Sequence, residues 1–184
     1  MQAVILAAGR GSRMGELTES TPKPMLMVHG KTLLEHKLDA LPHDVDEVIF
    51  IVGHYGGVIH DYFGGVYKDK KIFYVEQDVL DGTGGALWRA KDILKDRFIV
   101  MMGDDLYSAN DITAVQSCDE WCMAVWKTDE IKGGIVNVDA HHHIVSITEG
   151  NKTGNGYAGT NLFGLDTRLF EFPLIPKAEG SPEY

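Results

Sequence analysis

Cysteine is nearly absent: the 184 residues include only Cys118 and Cys122. Four positions apart in one short stretch, they lack both the second pair that a zinc site needs and the even framework of a disulfide scaffold. Both read as structural thiols, which suits a reducing cytosol. No apolar run approaches the ~20 residues of a membrane span, and no basic segment followed by an apolar core opens the chain. Positive charge is in deficit, with 17 Lys and Arg against 27 Asp and Glu and a formal charge of −10. A general affinity for nucleic acid or an anionic membrane has to overcome that repulsion, so neither is an expected partner. Internal repeats, low-complexity tracts and charge blocks are missing too, so one domain over residues 1–184 is expected.

What is present is a rhythm of apolar runs and glycine-rich turns. Residues 1–8 are almost continuously apolar, the pattern of a strand buried on both faces of a parallel sheet. Residues 9–24 are rich in Gly, Ser, Thr and Pro, a long loop of the kind that carries function. Residues 26–29 allow a brief strand. Thr32 with Glu35 forms a capping-box pattern for a helix whose Leu33, Leu34, Lys37, Leu38 and Leu41 fall at helical spacing before Pro42. Further strands are expected at 47–52, 72–77 and 98–102, with helices at 54–63 and 86–94. The alternation predicts an α/β fold: a three-layer sandwich with a mixed, mainly parallel central sheet and a ligand crevice beyond the carboxyl ends of its strands. From residue 123 the pieces shorten (123–126, 135–138, 144–148 and 158–165) between Gly, Asn and Asp turns, which predicts a small β appendage. Residues 173–184 show no obvious terminal element.

The first strand runs into Leu6-Ala7-Ala8-Gly9-Arg10-Gly11-Ser12-Arg13-Met14, and Thr21-Pro22-Lys23-Pro24-Met25 follows after a gap. A dinucleotide fingerprint needs a third glycine where Met14 stands, and a P-loop ending in Gly30-Lys31-Thr32 needs one at Met25. Neither motif is complete. What remains is a backbone-lined anion site. Glycines let N–H groups close on phosphate oxygens, Arg13 offers a planar fork, and a triphosphate suits so many donors.

Leu6-Ala7-Ala8-Gly9-x-Gly11-x-Arg13-Met14 followed by Pro22-Lys23-Pro24-Met25 resembles the signature of the sugar-1-phosphate nucleotidyltransferases. Gln77 followed by Gly82-Thr83-Gly84-Gly85-Ala86 resembles that family's base-reading segment, and Gly103-Asp104 resembles its metal-binding strand end. The resemblance implies a sheet of the nucleotide-diphospho-sugar transferase, Rossmann-like type. It also implies a reaction in which an NTP (UTP or dTTP) and a sugar 1-phosphate give an NDP-sugar and pyrophosphate. Arg13 and Lys23 are the implied catalytic cations. Ala7, Ala8, Gly9, Gly11, Ser12, Gln77, Gly82 and Thr83 are the implied nucleotide site, and Asp104 is the implied ligand of a Mg2+ cofactor. Gly134, Glu149 and Asn161 fall where the family faces the sugar, Asn161 as a substitute because Gly159 stands where asparagine is frequent. The implied partners are the two substrates, and a homo-oligomer is compatible. The chemistry agrees with the residues: a sugar phosphate is already a nucleophile, so the protein must position two polyanions and offset their repulsion. Prolines on both sides of Lys23 predict an extended backbone there. Gln77 can turn its amide to a pyrimidine edge, and Gly82 lets the backbone approach the base.

The family's core usually continues past Tyr184 and supplies a further metal ligand, so the resemblance implies either an incomplete domain or a reduced form. A non-catalytic nucleotide-sensing or assembly subunit is the alternative reading. Asp105 reads as a cap for the next helix. His141-His142-His143 after Asp139-Ala140 reads as a solvated hairpin turn, since three consecutive side chains do not converge as ligands. His54 is a candidate crevice residue, and Trp88, Trp121 and Trp126 read as core or interface residues.

Overall fold

The computed structural model describes residues 1–9, 11, 21–53, 55–176 and 183–184. In chain order the first elements are β1 (Gln2–Ala7), β2 (Met27–Val28), β3 (Lys31–Thr32), α1 (Leu33–Ala40), β4 (Glu47–Val52) and α2 (Gly56–Phe63). Then come β5 (Val66–Tyr67), β6 (Lys70–Glu76), α3 (Gly82–Trp88), β7 (Arg97–Met102) and α4 (Ala109–Gln116). Two long strands, β8 (Cys122–Val138) and β9 (Ile144–Asp166), complete the set.

The main sheet has the order β5-β6-β4-β1-β7-β9-β8, and β2-β3 forms a separate ribbon. β6, β4, β1 and β7 are parallel, while β5 and β9 join antiparallel at either side. The mixed, mainly parallel sheet is the one the alternating pattern predicts. The chain steps from β1 outward to β4 and β6, then returns to β7 on the other side of β1. The reversal point lies between β1 and β7, where open α/β sheets place their ligand crevice.

Alternate residues of each strand face opposite layers. Ile5, Phe50 and Met101 pack on one side against Leu34 and Leu38 of α1, Ile59 and Phe63 of α2, and Ile112 and Val115 of α4. Leu6, Ile51, Phe98 and Val100 pack on the other against Ala86 and Leu87 of α3, with Ala90 and Leu94 beyond it. The Thr32 and Glu35 capping box forms: Glu35 N donates to Thr32 Oγ1 at 3.1 Å and Thr32 N to Glu35 Oε2 at 2.7 Å. No described helix is long and apolar enough to cross a membrane.

Four local expectations are corrected. The helix expected at 86–94 starts earlier, at Gly82. Gly85 sits so close to the Asp81 carboxylate that a Cβ there meets Asp81 Oδ1 at 2.1 Å. Past Trp88, bonds such as Ala90 N to Leu87 O carry the chain on to Leu94, which keeps the apolar spacing of that segment. Lys23 is not extended. It opens a 3-10 turn, Lys23–Met25, because Pro24 tolerates the first turn, where no N–H is needed, and only Pro22 keeps extended angles. The cap of α4 is Ser108, whose hydroxyl accepts from Asp111 N at 3.1 Å, and not Asp105. Finally, the four short β pieces are ladder segments of two continuous strands. Residues 157–158 pair on one side with 126–127 and on the other with 135–136, and bulges bend the arm back on itself.

Candidate functional site

Three of the parallel strands end in small residues at the reversal point. Ala7 ends β1, Ala8 follows it and both are buried, Gly53 follows β4, and Gly103 follows β7. Gly103 N donates to Leu6 O at 2.8 Å, and a Cβ on Gly103 meets that oxygen at 2.7 Å. On the other flank a Cβ on Gly53 meets Ala8 O at 2.6 Å. The end of β1 is therefore clasped between two residues that must lack side chains. Gly9 is exposed beyond it, and Gly11 has φ +64. Arg13, Ser12 and His54 lie outside the described residues.

Lys23 arrives from the 3-10 turn and places Nζ 2.7 Å from Asp104 Oδ2, each side chain about a third exposed (32% and 36%). The pair joins positions 81 apart in sequence. Asp105, next along, has its carboxyl raised above the ordinary range by partial burial and by the charge of Asp104. Tyr107 O–H reaches Thr160 O at 3.1 Å and so ties this loop to β9.

Below the strand end lies Lys37, only 1% exposed, donating from Nζ to Gly103 O at 2.9 Å and to Leu33 O at 3.2 Å. Burial lowers its pKa from 10.5 to about 8, against the opposing pull of Asp104 and Asp105. A lysine on the apolar stripe of α1 is the one sequence signal of this role, and helical spacing alone does not separate it from the leucines. Between pH 8 and 10.5 the unfolded chain keeps the Lys37 proton that the folded chain releases, so stability rises with pH across that window. Relative to Lys37→Met, wild type should gain up to about 3 kcal/mol from pH 8 to pH 10.5. Urea unfolding of both proteins at stepped pH measures this, and parallel stability curves contradict it.

At the end of β6, Gln77 is buried, and its Nε2 donates to Asp81 Oδ1 at 2.8 Å and to Gly82 O at 3.2 Å. Gly82 has φ +90, which favours glycine, and exposed Thr83 follows. The backbone of Tyr184 lies against this turn: its N–H donates to Asp81 O at 2.7 Å and its carbonyl accepts from Gly84 N at 2.9 Å.

The sugar candidates fall on the β8-β9 arm. Gly134 and Glu149 are directly paired across the ladder. Asn161, at φ +57, comes two residues before Phe163, which pairs with Val100, so it lies near the carboxyl end of β7. A cavity of about 430 Å3 opens beside Asp105, walled by Tyr107, Trp126, Gly159, Thr160 and Leu162. None of the three sugar candidates lines it, whereas Gly159 and Trp126 do. A cavity of about 930 Å3 near Trp121, Arg168 and Phe172 lies at the amino end of β7, away from the strand ends that carry Lys23 and Asp104. Asp81, Lys37, Tyr107 and Gly53 are the site residues that reasoning from sequence missed as functional groups. His142, at φ +64, and His143 sit in an exposed turn around Asp139, as expected.

A model of the nucleotidyl transferase family matches residues 2–183. The chain is 32% identical over 181 residues to the bifunctional protein GlmU of Methanocaldococcus jannaschii, covering 97% of this chain and 43% of that protein. It is 31% identical over 181 residues to a D-glycero-alpha-D-manno-heptose 1-phosphate guanylyltransferase of Campylobacter jejuni, covering 96% and 81%. A candidate glucose-1-phosphate thymidylyltransferase from Bacillus anthracis, solved with sucrose, superposes with TM-score 0.84 at 26% identity, over 98% of this chain and 78% of that one. The chain spans less than half the length of the GlmU relatives it matches.

Proposed function

Since this chain belongs to the sugar-1-phosphate nucleotidyltransferases of the nucleotidyl transferase family, we propose that it transfers a nucleotidyl group from UTP or dTTP to a sugar 1-phosphate. An oxygen of the sugar phosphate attacks the α-phosphorus. The new P–O bond forms as the α–β bridging P–O bond breaks, and pyrophosphate leaves with the electron pair. The observation that carries this reading is the meeting of Lys23 and Asp104 at the strand reversal, one from a Pro-Lys-Pro turn and one from a strand end. Lys23, with Arg13, offsets the charge of the two polyanions as they approach. The backbone of Ala7, Ala8, Gly9 and Gly11, with Ser12, cradles the triphosphate, and Gln77, Gly82 and Thr83 face the base. A base seated on Gly82 takes the place held here by the Tyr184 backbone.

The family implies a divalent cation, taken here as Mg2+. Asp104 suits it, since a cationic Nζ already lies at hydrogen-bond distance from its carboxylate and Asp105 stands beside it. Mg2+ characteristically uses one or two carboxylates plus substrate phosphates, a demand that the strand-end carboxylate of Asp104 can meet. When bound, such an ion supplies positive charge to the phosphate oxygens. The sugar occupies the cavity between Asp105 and Trp126, and Gly134, Glu149 and Asn161 are candidate sugar contacts on the β8-β9 arm outside its lining.

The test is pyrophosphate release from each NTP with Mg2+ and a panel of sugar 1-phosphates. Release with UTP or dTTP and at least one sugar 1-phosphate is expected. No release from any pair rejects the reaction, and release only with GTP or CTP rejects the nucleotide.

A further inference from the structure

Gln77 is the one buried amide at the carboxyl end of β6, and both of its N–H groups are already spent. Nε2 donates to Asp81 Oδ1 at 2.8 Å and to Gly82 O at 3.2 Å, and both partners can only accept. Reversing the amide sets Oε1 against two oxygens, so the chemistry of the partners, and not the density of atoms around it, decides its orientation. Asp81 is itself held: Arg89 Nη2 donates to its Oδ2 at 3.2 Å, and the bare Gly85 leaves the room its carboxylate occupies. Among the described residues nothing donates to Gln77 Oε1. That oxygen is the part of Gln77 that no described residue holds, and it accepts.

We propose that Asp81 is a positioning residue that fixes Gln77 as a hydrogen-bond acceptor, so that the site selects bases whose Watson–Crick ring nitrogen carries a hydrogen. Uracil, thymine and guanine qualify. Cytosine and adenine present a bare ring nitrogen, whose lone pair opposes Oε1, and their amino groups reach it only if the base slides along its edge. The inference rests on the nucleotidyltransferase reading, which seats a base at Gln77, and it narrows that reading to a class of nucleotide.

The experiment is calorimetric titration of the wild-type chain and Asp81→Asn with UTP, dTTP, GTP, CTP, ATP and 3-methyl-UTP in the presence of Mg2+. In wild type, at least one of UTP, dTTP and GTP should bind more than about tenfold tighter than CTP and ATP, because an unpaired buried acceptor is costly. In Asp81→Asn the carboxamide keeps its oxygen on Arg89 and turns its N–H groups to Gln77. The amide then loses its fixed direction, and the gap should shrink at least about fivefold. A merely structural role lowers every affinity together and leaves the ratio alone. If UTP is the favoured nucleotide, 3-methyl-UTP, which lacks the N3–H, should lose about tenfold or more in wild type, a measurement that does not depend on the variant folding. Equal or tighter binding of CTP or ATP by wild type, undiminished binding of 3-methyl-UTP where UTP is favoured, or an unchanged ratio in a folded Asp81→Asn overturns the proposal. Selective binding without turnover supports it and removes only the reaction. No binding of any nucleotide removes both.

Discussion

Lys23→Met and Asp104→Asn should each lower kcat/KM by about three orders of magnitude while changing unfolding free energy by less than about 1 kcal/mol. The separation follows from where the pair sits. Both side chains are about a third exposed, at 32% and 36%, so their ion pair is screened by solvent and contributes little to the fold. In the reaction the same two groups have a different task, because two polyanions must approach and a pyrophosphate that gains negative charge must depart. Removing one preorganised charge from such a site typically costs about a hundred- to a thousandfold in rate. The methionine keeps the apolar stem of Lys23 and the asparagine keeps the shape of Asp104, so lost charge is the main change. The two residues serve one centre, so the double variant should fall little below the worse single one. Steady-state pyrophosphate release and urea unfolding on the same preparations check both halves. Wild-type rates in either variant contradict the assignment. Collapse of stability in both means the pair is structural.

Gly53→Ala and Gly103→Ala should destabilise the chain by about 2 kcal/mol each and weaken nucleotide binding about tenfold or more. The added Cβ atoms meet Ala8 O at 2.6 Å and Leu6 O at 2.7 Å. Those are backbone oxygens of the central strand, which cannot swing aside as a flexible side chain does. Relief requires the end of β1 to shift, and that end carries Ala7, Ala8 and Gly9. Gly57→Ala is the control. It lies in α2 with nothing within 4 Å of a new Cβ, so the substitution should stabilise by about 0.5–1 kcal/mol through helix propensity and leave binding unchanged. Denaturant unfolding and nucleotide titration of the three variants decide the matter. A Gly53→Ala protein as stable and as tight-binding as wild type contradicts the clasp.

The strand before each glycine turn was legible, because fully buried parallel strands such as β1 and β4 are continuous apolar runs. The helix start at Thr32 was legible because a capping box is a local arrangement within four residues. Lys37 was not. Its partner Gly103 is 66 positions away, and helical spacing cannot tell a buried lysine from one whose head leaves the apolar stripe. The β8-β9 arm was legible as pieces but not as two strands, since bulges interrupt the alternation that a period-two pattern detects. Gln77 and Gly82 are legible only through a family resemblance. The bond that orients Gln77 runs to Asp81, four positions away in a turn whose side-chain contacts no sequence pattern marks. Lys23 and Asp104 were each recognisable by motif, whereas their meeting is a property of the fold.

The central claim is that the end of β1, Lys23 and Asp104 form a site where a sugar phosphate attacks an NTP at its α-phosphorus. Isotope position tests this most directly. Sugar 1-phosphate labelled with 18O in its phosphoryl oxygens is incubated with the chain, Mg2+ and the NTP, and the products are followed by 31P NMR and mass spectrometry. The account predicts that all label stays in the NDP-sugar, including the oxygen that bridges its two phosphorus atoms, and that pyrophosphate carries none. Label in pyrophosphate, or an NDP-sugar whose bridging oxygen is unlabelled, would contradict it.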